Sequence, residues 1–378
     1  MIDFIDGNDA VVRGALDAGC DFFAGYPITP ATSILIGMMR HLPARGGIAV
    51  QAEDEIASMG FCIGAVMAGR RALTATSGPG LSLYSENVGL AIMGETPLVI
   101  VDVQRQGPAT GSATMGAQGD VQFVRWITSG GYPIIALAPA SAAECYWMTF
   151  EAFALSERFR VPVFVLIDKE LGQTREKIDF DALPPTPAIE RKHAPADNDF
   201  LPYGFSSPEE TPPLSPFGGP NLLRYTTSMH DKTGYLTKDR TRIQEMMEHL
   251  EQKILAYADD FSRADVDAAD GARCVFLSYG TSSRSALEAA RRARTAGVPV
   301  TVVTVKTLWP VPEALIRSAC AGAETVVVAE QNLGDYAREI ERILPGTDVR
   351  LARRMDGRIL PPDLILETAG LEAPESGT

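Results

Sequence analysis

The sequence predicts an α/β protein with two parallel-sheet units, and three observations support this fold class. Short apolar runs of strand length recur between segments of helix length, which is typical of buried parallel strands. The 378 residues are enough for two domains of ordinary size and a connecting region. Apolar residues make up 46% and charged residues 22% of the chain, the composition of a globular protein with a large core.

Charge and composition argue against several classes of function. The chain has 34 basic and 48 acidic residues, and the formal net charge of -14 disfavours nucleic acid or an anionic membrane as main partner. No window approaches the roughly 18 uncharged apolar residues of a membrane span, and the start of the chain lacks a secretory pattern. We therefore expect a cytoplasmic protein. The five cysteines form no CxxC pair, which disfavours a metal or iron–sulfur site in this chain.

The first predicted domain covers residues 1–170. Its apolar, strand-like segments are Cys20–Ala24, Ile48–Gln51, Ala72–Thr76, Pro97–Val103, Tyr132–Leu137 and Val161–Asp168. Helices are predicted over Asp9–Ala18, Ala31–Arg40, Glu53–Met67 and Tyr84–Met93. We expect a loop at Ser77–Gly80, before the last of these helices. Alternation of strands and helices predicts one α/β sheet.

Three further regions follow. Residues 171–238 are predicted to be a linker or wrap, because ten prolines lie between Pro184 and Pro220. A connecting region, 239–270, carries a predicted helix over Asp239–Phe261. Residues 271–378 form a second predicted α/β unit. Its predicted strands are Cys274–Gly280, Val298–Val305, Thr325–Glu330 and Val349–Ala352, and a predicted helix over Ser282–Ala296 completes a βαβ unit.

The turn Tyr26–Pro30 is a candidate ligand-binding loop. Pro27 and Pro30 bracket Thr29, and each proline fixes its own φ and restricts the residue before it. Such a turn is stiff, so the Thr29 hydroxyl and neighbouring N–H groups should point in fixed directions at a strand end. The alternative is a proline-rich turn whose threonine caps the following helix.

Glu55 and Arg105 are the candidate chemical groups. The four histidines avoid the loops at the strand ends of the first domain, so acid–base chemistry there requires a carboxylate or a cofactor. Glu55 precedes an apolar helix, and burial would make it a proton donor; a plain helix start explains Glu53 and Asp54 better. Arg105 ends a strand before a Gly/Pro loop, which suits carboxylate binding, with a structural salt bridge as the alternative.

The chain lacks every diphosphate-binding pattern that we searched for. It contains no GxxxxGK[ST] loop, no GxGxxG after a strand and no Gly-Asp-Gly followed some thirty residues later by Asn. By these patterns, the chain does not hold a diphosphate cofactor.

Several stretches together resemble one family. They are Gly7-Asn8, Gly14-Ala15, Tyr26–Pro30, Glu53–Glu55, Ser77–Gly80, Gly94-Glu95, Pro97, Arg105, Gly107-Pro108, Thr110-Gly111, Thr114, Gln118, Asp120, His230-Asp231, Gly234, Leu308–Pro310, Glu330 and Asn332. The chain is similar to the α subunit of the 2-oxoacid:ferredoxin oxidoreductases, and in particular to the short α subunit of the 2-oxoglutarate enzymes. The resemblance covers nearly the whole chain.

The resemblance implies a thiamine-diphosphate pyrimidine-binding-type domain followed by a transketolase-C-terminal-like α/β domain. The implied activity is oxidative decarboxylation of 2-oxoglutarate to succinyl-CoA, with coenzyme A as cosubstrate and electrons passed to ferredoxin. A β subunit would supply most of the site for thiamine diphosphate and Mg²⁺ and would carry an iron–sulfur cluster. Further γ and δ subunits are compatible with the same resemblance.

The resemblance also implies roles for individual residues. Glu55 would be catalytic, through a hydrogen bond to the pyrimidine ring nitrogen. Thr29 and Arg105 would hold the carboxylate of the 2-oxoacid. Further substrate-binding residues would be Tyr26, Pro27, Ile28, Pro30, Thr110 and Met115, and further cofactor-binding residues would be Gly78, Pro79 and Asn87.

Departures from the family pattern leave the substrate open. Ala109 replaces the usual serine, and Met115 stands where the family carries a lysine or arginine, which weakens the case for a second substrate carboxylate. Gln331 and Asp335 also differ from the expected surroundings of Glu330 and Asn332. Pyruvate and branched-chain or aromatic 2-oxoacids are therefore alternatives. So are half of a non-oxidative thiamine-dependent decarboxylase or transketolase, and a non-catalytic structural subunit.

Overall fold

The computed structural model of the protein describes residues 1–197 and 199–371. Asn198 in the predicted linker and residues 372–378 of the second predicted domain lie outside the described residues. Three sheets form within the described part, with seven, five and two strands. No helix in this part of the chain is long and apolar enough to cross a membrane. The cytoplasmic location stays a prediction.

The strands and helices have the following bounds. The strands are β1 Ile2–Asp6, β2 Phe22–Gly25, β3 Ile48–Gln51, β4 Ala72–Thr76, β5 Leu98–Gln104, β6 Ile135–Leu137, β7 Pro162–Asp168, β8 Arg175–Asp179, β9 Ala264–Asp267, β10 Cys274–Ser278, β11 Val300–Val305, β12 Thr307–Trp309, β13 Thr325–Glu330 and β14 Asp348–Arg353. The helices are α1 Gly7–Asp17, α2 Thr32–His41, α3 Glu55–Met67, α4 Gly78–Met93, α5 Val121–Arg125, α6 Ala142–Phe159, α7 Lys169–Gln173, α8 Arg240–Leu255, α9 Ala258–Phe261, α10 Ser282–Thr295, α11 Glu313–Ala319, α12 Ala337–Ile343 and α13 Pro362–Ala369.

The first large sheet has the strand order β12-β6-β7-β5-β4-β2-β3. Strands β2 to β7 within it are parallel, and every residue of β4, β5 and β7 is buried. Helices on both faces cover the sheet, which explains why its central strands are continuous apolar runs. The predicted α/β fold class is confirmed.

The second sheet has the order β14-β13-β10-β11-β9. The four strands β10, β11, β13 and β14 are parallel, and β9 is an antiparallel edge strand. Between β10 and β11, α10 packs a face of four buried alanines on the sheet. Their small side chains let the helix approach the strands closely, as the predicted βαβ unit requires.

Two predicted boundaries differ from the structure by six residues. Helix α4 begins at Gly78 rather than Tyr84, so most of the expected loop Ser77–Gly80 is its first turn, with Pro79 at a position where a missing N–H costs nothing. The helix predicted over Asp239–Phe261 is shorter than expected, because α8 ends at Leu255 and the separate short α9 follows.

The proline-rich segment packs on the first sheet unit around the buried Arg160. The Arg160 guanidinium donates to the carbonyl oxygens of Pro202, Pro212 and Pro213 at 3.1, 3.3 and 3.1 Å. Its Nε donates to the Glu95 carbonyl oxygen at 3.0 Å. Proline has no N–H but keeps a carbonyl acceptor, so one arginine can donate hydrogen bonds to the carbonyl oxygens of several prolines in such a segment.

Candidate active site

The predicted site residues meet at one edge of the seven-stranded sheet. Tyr26–Pro30 follows β2, Glu53–Glu55 follows β3, Gly78 follows β4 and Arg105 follows β5. Since these strands are parallel neighbours, their carboxyl ends lie side by side. Crevices at this edge are where open α/β sheets bind ligands.

Glu55 is the first residue of α3 and is only 8% exposed. Asp54 before it is the N-cap, and its carboxylate accepts the Ala57 N–H at 2.7 Å. The acidic cluster therefore divides into a capping Asp54, an exposed Glu53 and a buried Glu55. This division agrees with the expectation that a plain helix start explains Glu53 and Asp54 rather than Glu55.

A glycine lets the Glu55 carboxylate approach the first turn of α4. A Cβ atom at Gly80 would lie 2.7 Å from Glu55 Oε1 and 2.1 Å from Thr76 Oγ1. The positive end of the α4 dipole faces this carboxylate. Asn87, further along α4, donates to the Ile56 carbonyl oxygen at 3.0 Å and so joins the two helices next to Glu55.

Asn8 holds the Tyr26–Pro30 turn in place. Its side-chain amide donates to the Pro30 carbonyl oxygen at 3.0 Å and to Ser33 Oγ at 2.7 Å. Thr29 and Pro27 are exposed on the outer side of the turn, whereas Pro30 is buried. These contacts explain the Gly7-Asn8 stretch, because Asn8 holds the turn in place, which the sequence pattern did not indicate.

Arg105 is buried and joins two loops. Its Nη1 donates to the Thr29 carbonyl oxygen at 2.8 Å, and its Nη2 donates to the Thr110 carbonyl oxygen at 2.9 Å. Its Nε has no hydrogen-bond partner among the described residues. A guanidinium has five N–H donors, so three of those of Arg105 have no partner among the described residues. The carboxylate-binding role of Arg105 stays a prediction.

The loop after Arg105 is tightly turned and touches the second unit. Gly111 has φ 50°, and a Cβ there would overlap the Gln106 carbonyl oxygen. Ala109 has φ 51°, a conformation that costs a non-glycine residue free energy. Gln106 Nε2 donates to the Met355 carbonyl oxygen at 2.7 Å, and the Met115 side chain packs against Gly357.

A cleft of about 540 Å³ opens between the two units at this edge. Among the predicted site residues, Gly78, Pro79 and Arg105 line it. On the opposite wall lie Gln331, Asn332, Asp335 and Met355. The other predicted residues do not line it: Tyr26, Pro27, Ile28, Thr29, Pro30, Glu55, Asn87, Thr110 and Met115.

A buried polar network fixes the opposite wall. Gln118 Nε2 donates to Asp168 Oδ2 at 2.9 Å, and Gln118 Oε1 accepts the Gln331 N–H at 2.9 Å. Asp168 also accepts from the backbone N–H and the hydroxyl of Thr281, each at 2.6 Å. Burial raises the pKa of Asp168 to about 6. The network joins both units, and sequence analysis missed Asp168 and Thr281 within it.

The motif residues Glu330 and Asn332 belong to the same network. Glu330 accepts the Tyr279 hydroxyl at 2.8 Å and the N–H groups of Tyr336 and Ala337. Asn332 donates to Tyr279 Oη and to the Gln118 carbonyl oxygen, each at 2.8 Å. Both residues therefore position the loop that closes the cleft.

Two further carboxyl groups lie beside the cleft, at Asp102 on β5 and Asp120 before α5. Asp102 is fully buried, and neither of its carboxyl oxygens accepts a hydrogen bond from an N–H or O–H of the described residues. Burial and the neighbouring Asp120 raise the pKa of Asp102 well above its usual value. Burial likewise raises the pKa of Asp120 to about 6. Sequence analysis missed Asp102 because it lies inside an apolar strand.

The pyrimidine half of thiamine diphosphate, which the resemblance implies, fits these residues. A buried carboxylate at a helix start can hydrogen-bond the edge of a flat heterocycle, and Glu55 provides one next to the cleft. The described residues contain no group of three His, Cys, Asp or Glu side chains placed to hold a metal ion.

Comparison with known families identifies both sheet units. Residues 13–248 match the family described as pyruvate flavodoxin/ferredoxin oxidoreductase, thiamine diphosphate-binding. Residues 272–365 match the family described as pyruvate:ferredoxin oxidoreductase core domain II. The first match covers β2 to β8 and the proline-rich segment, and the second match covers β10 to β14.

Individual relatives are similar over nearly the full chain. The 2-oxoglutarate synthase subunit KorA of Methanothermobacter thermautotrophicus is 43% identical over 96% of both chains. The ketoisovalerate oxidoreductase subunit VorB of Methanothermobacter marburgensis is 34% identical over 94% of both chains.

A solved structure is also similar over nearly the whole chain. The 2-oxoglutarate:ferredoxin oxidoreductase from Magnetococcus marinus, with 2-oxoglutarate, coenzyme A and succinyl-CoA bound, superposes with a TM-score of 0.91 at 31% identity. The match covers 98% of this chain and 65% of the solved chain. The chain therefore belongs to the thiamine-diphosphate-binding pyruvate flavodoxin/ferredoxin oxidoreductase family.

Proposed function

We propose that the chain is the α subunit of a coenzyme A-acylating 2-oxoacid:ferredoxin oxidoreductase that converts 2-oxoglutarate to succinyl-CoA. The observation that carries this proposal is the meeting of Glu55, Arg105 and the Thr29 turn at one sheet edge, beside a cleft between the two units. The 43% identity to a 2-oxoglutarate synthase subunit supports the choice of substrate.

Each residue has a defined task in this proposal. Thiamine diphosphate, when bound, supplies the carbon nucleophile and the electron sink for decarboxylation. Glu55 hydrogen-bonds the pyrimidine ring nitrogen and sets its tautomer. Arg105 uses its remaining N–H groups to hold the 2-oxoacid carboxylate, and the exposed Thr29 hydroxyl provides a second donor. The buried surroundings of Glu55 and Arg105 strengthen both interactions by excluding water.

A branched-chain 2-oxoacid is the second candidate substrate. Met115 packs against Gly357 and presents no charge where a distal carboxylate would need a cation. The 34% identity to a ketoisovalerate oxidoreductase subunit favours the same alternative. The higher identity to the 2-oxoglutarate relative makes 2-oxoglutarate our first choice.

The partner would be a β subunit that holds the diphosphate, Mg²⁺ and an iron–sulfur cluster. An apolar face next to Glu55 supports this part of the proposal. Ile56 and Phe61 on α3 and Leu83 on α4 are 52, 49 and 46% exposed, and Gly60 and Gly64 flatten the same face of α3. Large exposed apolar side chains grouped on one surface typically mark a protein interface. Ferredoxin would accept the electrons from the partner's cluster.

The decisive experiment is viologen reduction by the natively co-purified complex, supplied with coenzyme A and a panel of 2-oxoacids. Preference for 2-oxoglutarate would support the first choice and show that Met115 does not exclude a second carboxylate. Preference for a branched-chain 2-oxoacid would support the second candidate. No reduction from a complex that contains thiamine diphosphate and clusters would overturn the oxidoreductase proposal and favour a non-oxidative enzyme.

A further inference from the structure

Asp102 and Asp120 form a carboxyl pair that lies against the proposed substrate site. Asp120 lines the cleft together with Gly78 and Arg105, and a Cβ at Gly78 would be 2.9 Å from Asp120 Oδ1. Asp102 Oδ1 and Oδ2 and Asp120 Oδ2 are buried and accept no hydrogen bond from the N–H and O–H groups of the described residues. A proton held between the two carboxyl groups would give a hydrogen bond to one oxygen of each group.

The charged groups around the pair are few. Burial is the largest effect on Asp120 and raises its pKa to about 6, whereas a hydrogen bond from Asp102 and, to a smaller degree, the charge of Arg105 lower this pKa. Asp335, on the opposite wall of the cleft, raises it further. Asp168, at the end of β7, acts on Asp102 in the same direction. The Asp102 donor and one cation, Arg105, therefore stabilise the ionised form of Asp120, and the neighbouring Asp335 opposes it.

We propose that Asp102 stays protonated as a hydrogen-bond donor and that Asp120 takes up a proton when the carboxylate of a 2-oxoacid binds at Arg105. The proposal rests on the function proposed above. Its physical basis is that the substrate carboxylate neutralises the one cation that favours ionised Asp120. The proton comes from solvent and is returned when the carboxylate group leaves the site.

The proposal makes substrate affinity depend on pH. Since binding and proton uptake are linked, the 2-oxoacid binds more tightly when Asp120 is already protonated. The KM of the wild-type complex should fall about three- to tenfold as the pH decreases from about 7.5 to about 5.5, because linkage of one proton allows at most tenfold per pH unit. The value of kcat should change less, because Asp120 acts on binding.

Three variants test whether the pH dependence of KM comes from Asp120 rather than from other titratable groups in the complex. Asp120→Asn mimics the protonated state, so its KM should equal the low-pH value of the wild type at every pH. Asp102→Asn keeps a neutral donor and should retain the wild-type dependence. Asp102→Leu removes the donor, destabilises ionised Asp120 and should shift the change in KM to higher pH.

Glu151→Gln is the matched control, because Glu151 is a buried carboxylate away from the cleft whose pKa is raised by burial.

A second measurement needs no turnover. The folded-state pKa of Asp120 lies above the unfolded value of 3.8, so its contribution to stability is present at low pH and is lost as the pH rises through about 6. The Tm of the Asp120→Asn complex should therefore exceed that of the wild type by more at pH 8 than at pH 5, with a difference of roughly 2–4 °C.

The outcomes separate the two proposals. Wild-type KM that does not change with pH, or Asp120→Asn that keeps the wild-type slope, would overturn the coupling of substrate to proton. A Tm difference that is the same at both pH values would overturn the raised affinity of Asp120 for its proton. If the complex turns over no 2-oxoacid at all, the proposed function fails while the Tm comparison still tests the pair.

Discussion

At the scale of single residues, Glu55 gives the sharpest test of the proposed chemistry. Glu55→Gln keeps the shape of the side chain and its fit against Gly80, but removes the charge that sets the pyrimidine tautomer. We expect turnover to fall by about 10²- to 10⁴-fold, the usual contribution of one acid–base group. Viologen reduction by the assembled complex measures it, with cofactor content checked in parallel. Unchanged turnover in a cofactor-loaded complex would exclude a catalytic role for Glu55.

Arg105 should determine how tightly the 2-oxoacid binds. Arg105→Lys keeps one charge but loses the fork that spans the Thr29 and Thr110 carbonyl oxygens. We expect KM for the 2-oxoacid to rise at least about tenfold, since charge-assisted bidentate contacts are the strong ones. Steady-state kinetics of the complex provide the measurement. A lower kcat with unchanged KM would instead place Arg105 away from the substrate.

At the scale of elements, helix α3 contains both the proposed catalytic residue and part of the proposed subunit interface. Its first residue is Glu55, while Phe61 lies on its exposed apolar face. We expect Phe61→Asp to abolish co-purification of the β subunit, because a buried unpaired charge at an interface costs several kcal/mol. Leu287→Asp is the matched control, since Leu287 is 43% exposed on α10 of the other sheet unit. Loss of the partner in both variants would indicate general destabilisation rather than an interface on α3.

The strands that could be predicted from the sequence are those that their own residues identify, without reference to a pairing partner. The buried strands β4 and β13 were predicted with their observed bounds, because a continuous apolar run needs no partner to be recognised. The strands β1, β8, β9 and β12 were missed. Their pairing is antiparallel and their sequences are short and mixed, as in Ala264–Asp267, so only distant partners make them strands.

The site was predictable in part for a related reason. Gly, Pro and Thr residues next to a predicted strand indicate a loop at the strand end from the local sequence alone. This pattern led to Tyr26–Pro30 and Arg105 as candidate site residues. Asp102 was not found, since a carboxylate within Leu98–Gln104 looks like one polar residue in an apolar strand. The role of Arg160 as the anchor of the proline-rich segment depends on carbonyl groups more than forty residues away, which no local pattern encodes.

At the scale of the whole molecule, a buried ion cluster ties the proline-rich segment and α8 to the first sheet unit. Glu95 Oε2 lies 2.9 Å from Lys253 Nζ and 3.1 Å from His249 Nε2, and His249 Nδ1 lies 3.0 Å from the Pro208 carbonyl oxygen. Burial alone would raise the pKa of Glu95, but the charges of Lys253 and His249 hold it well below its usual range. Its stabilising contribution is therefore present at neutral pH and is lost as the pH falls below the unfolded value of 4.5.

Glu95→Gln tests this cluster. The substitution leaves Lys253 buried without its counter-charge, so we expect a loss of about 3–5 kcal/mol in the free energy of unfolding at pH 7. The difference in the free energy of unfolding between the variant and the wild type should become smaller as the pH approaches 4. At that pH, Glu95 is protonated in the unfolded wild-type chain but stays ionised in the folded protein. Denaturant unfolding at the two pH values provides the comparison. A difference that does not narrow would show that Glu95 stabilises the fold through packing rather than charge.

Strand β12 has a consequence for access to the cleft. Although it belongs to the later part of the chain, it pairs with β6 at the edge of the first sheet, and the Ala138 N–H donates to the Lys306 carbonyl oxygen at 2.8 Å. The two walls of the cleft are thus connected through backbone hydrogen bonds, and separating them would break a sheet rather than bend a linker. Within the described residues, the two walls are therefore not joined by a free linker that could open the cleft as a hinge. Entry and release of a ligand would instead depend on movement of the loops at the cleft.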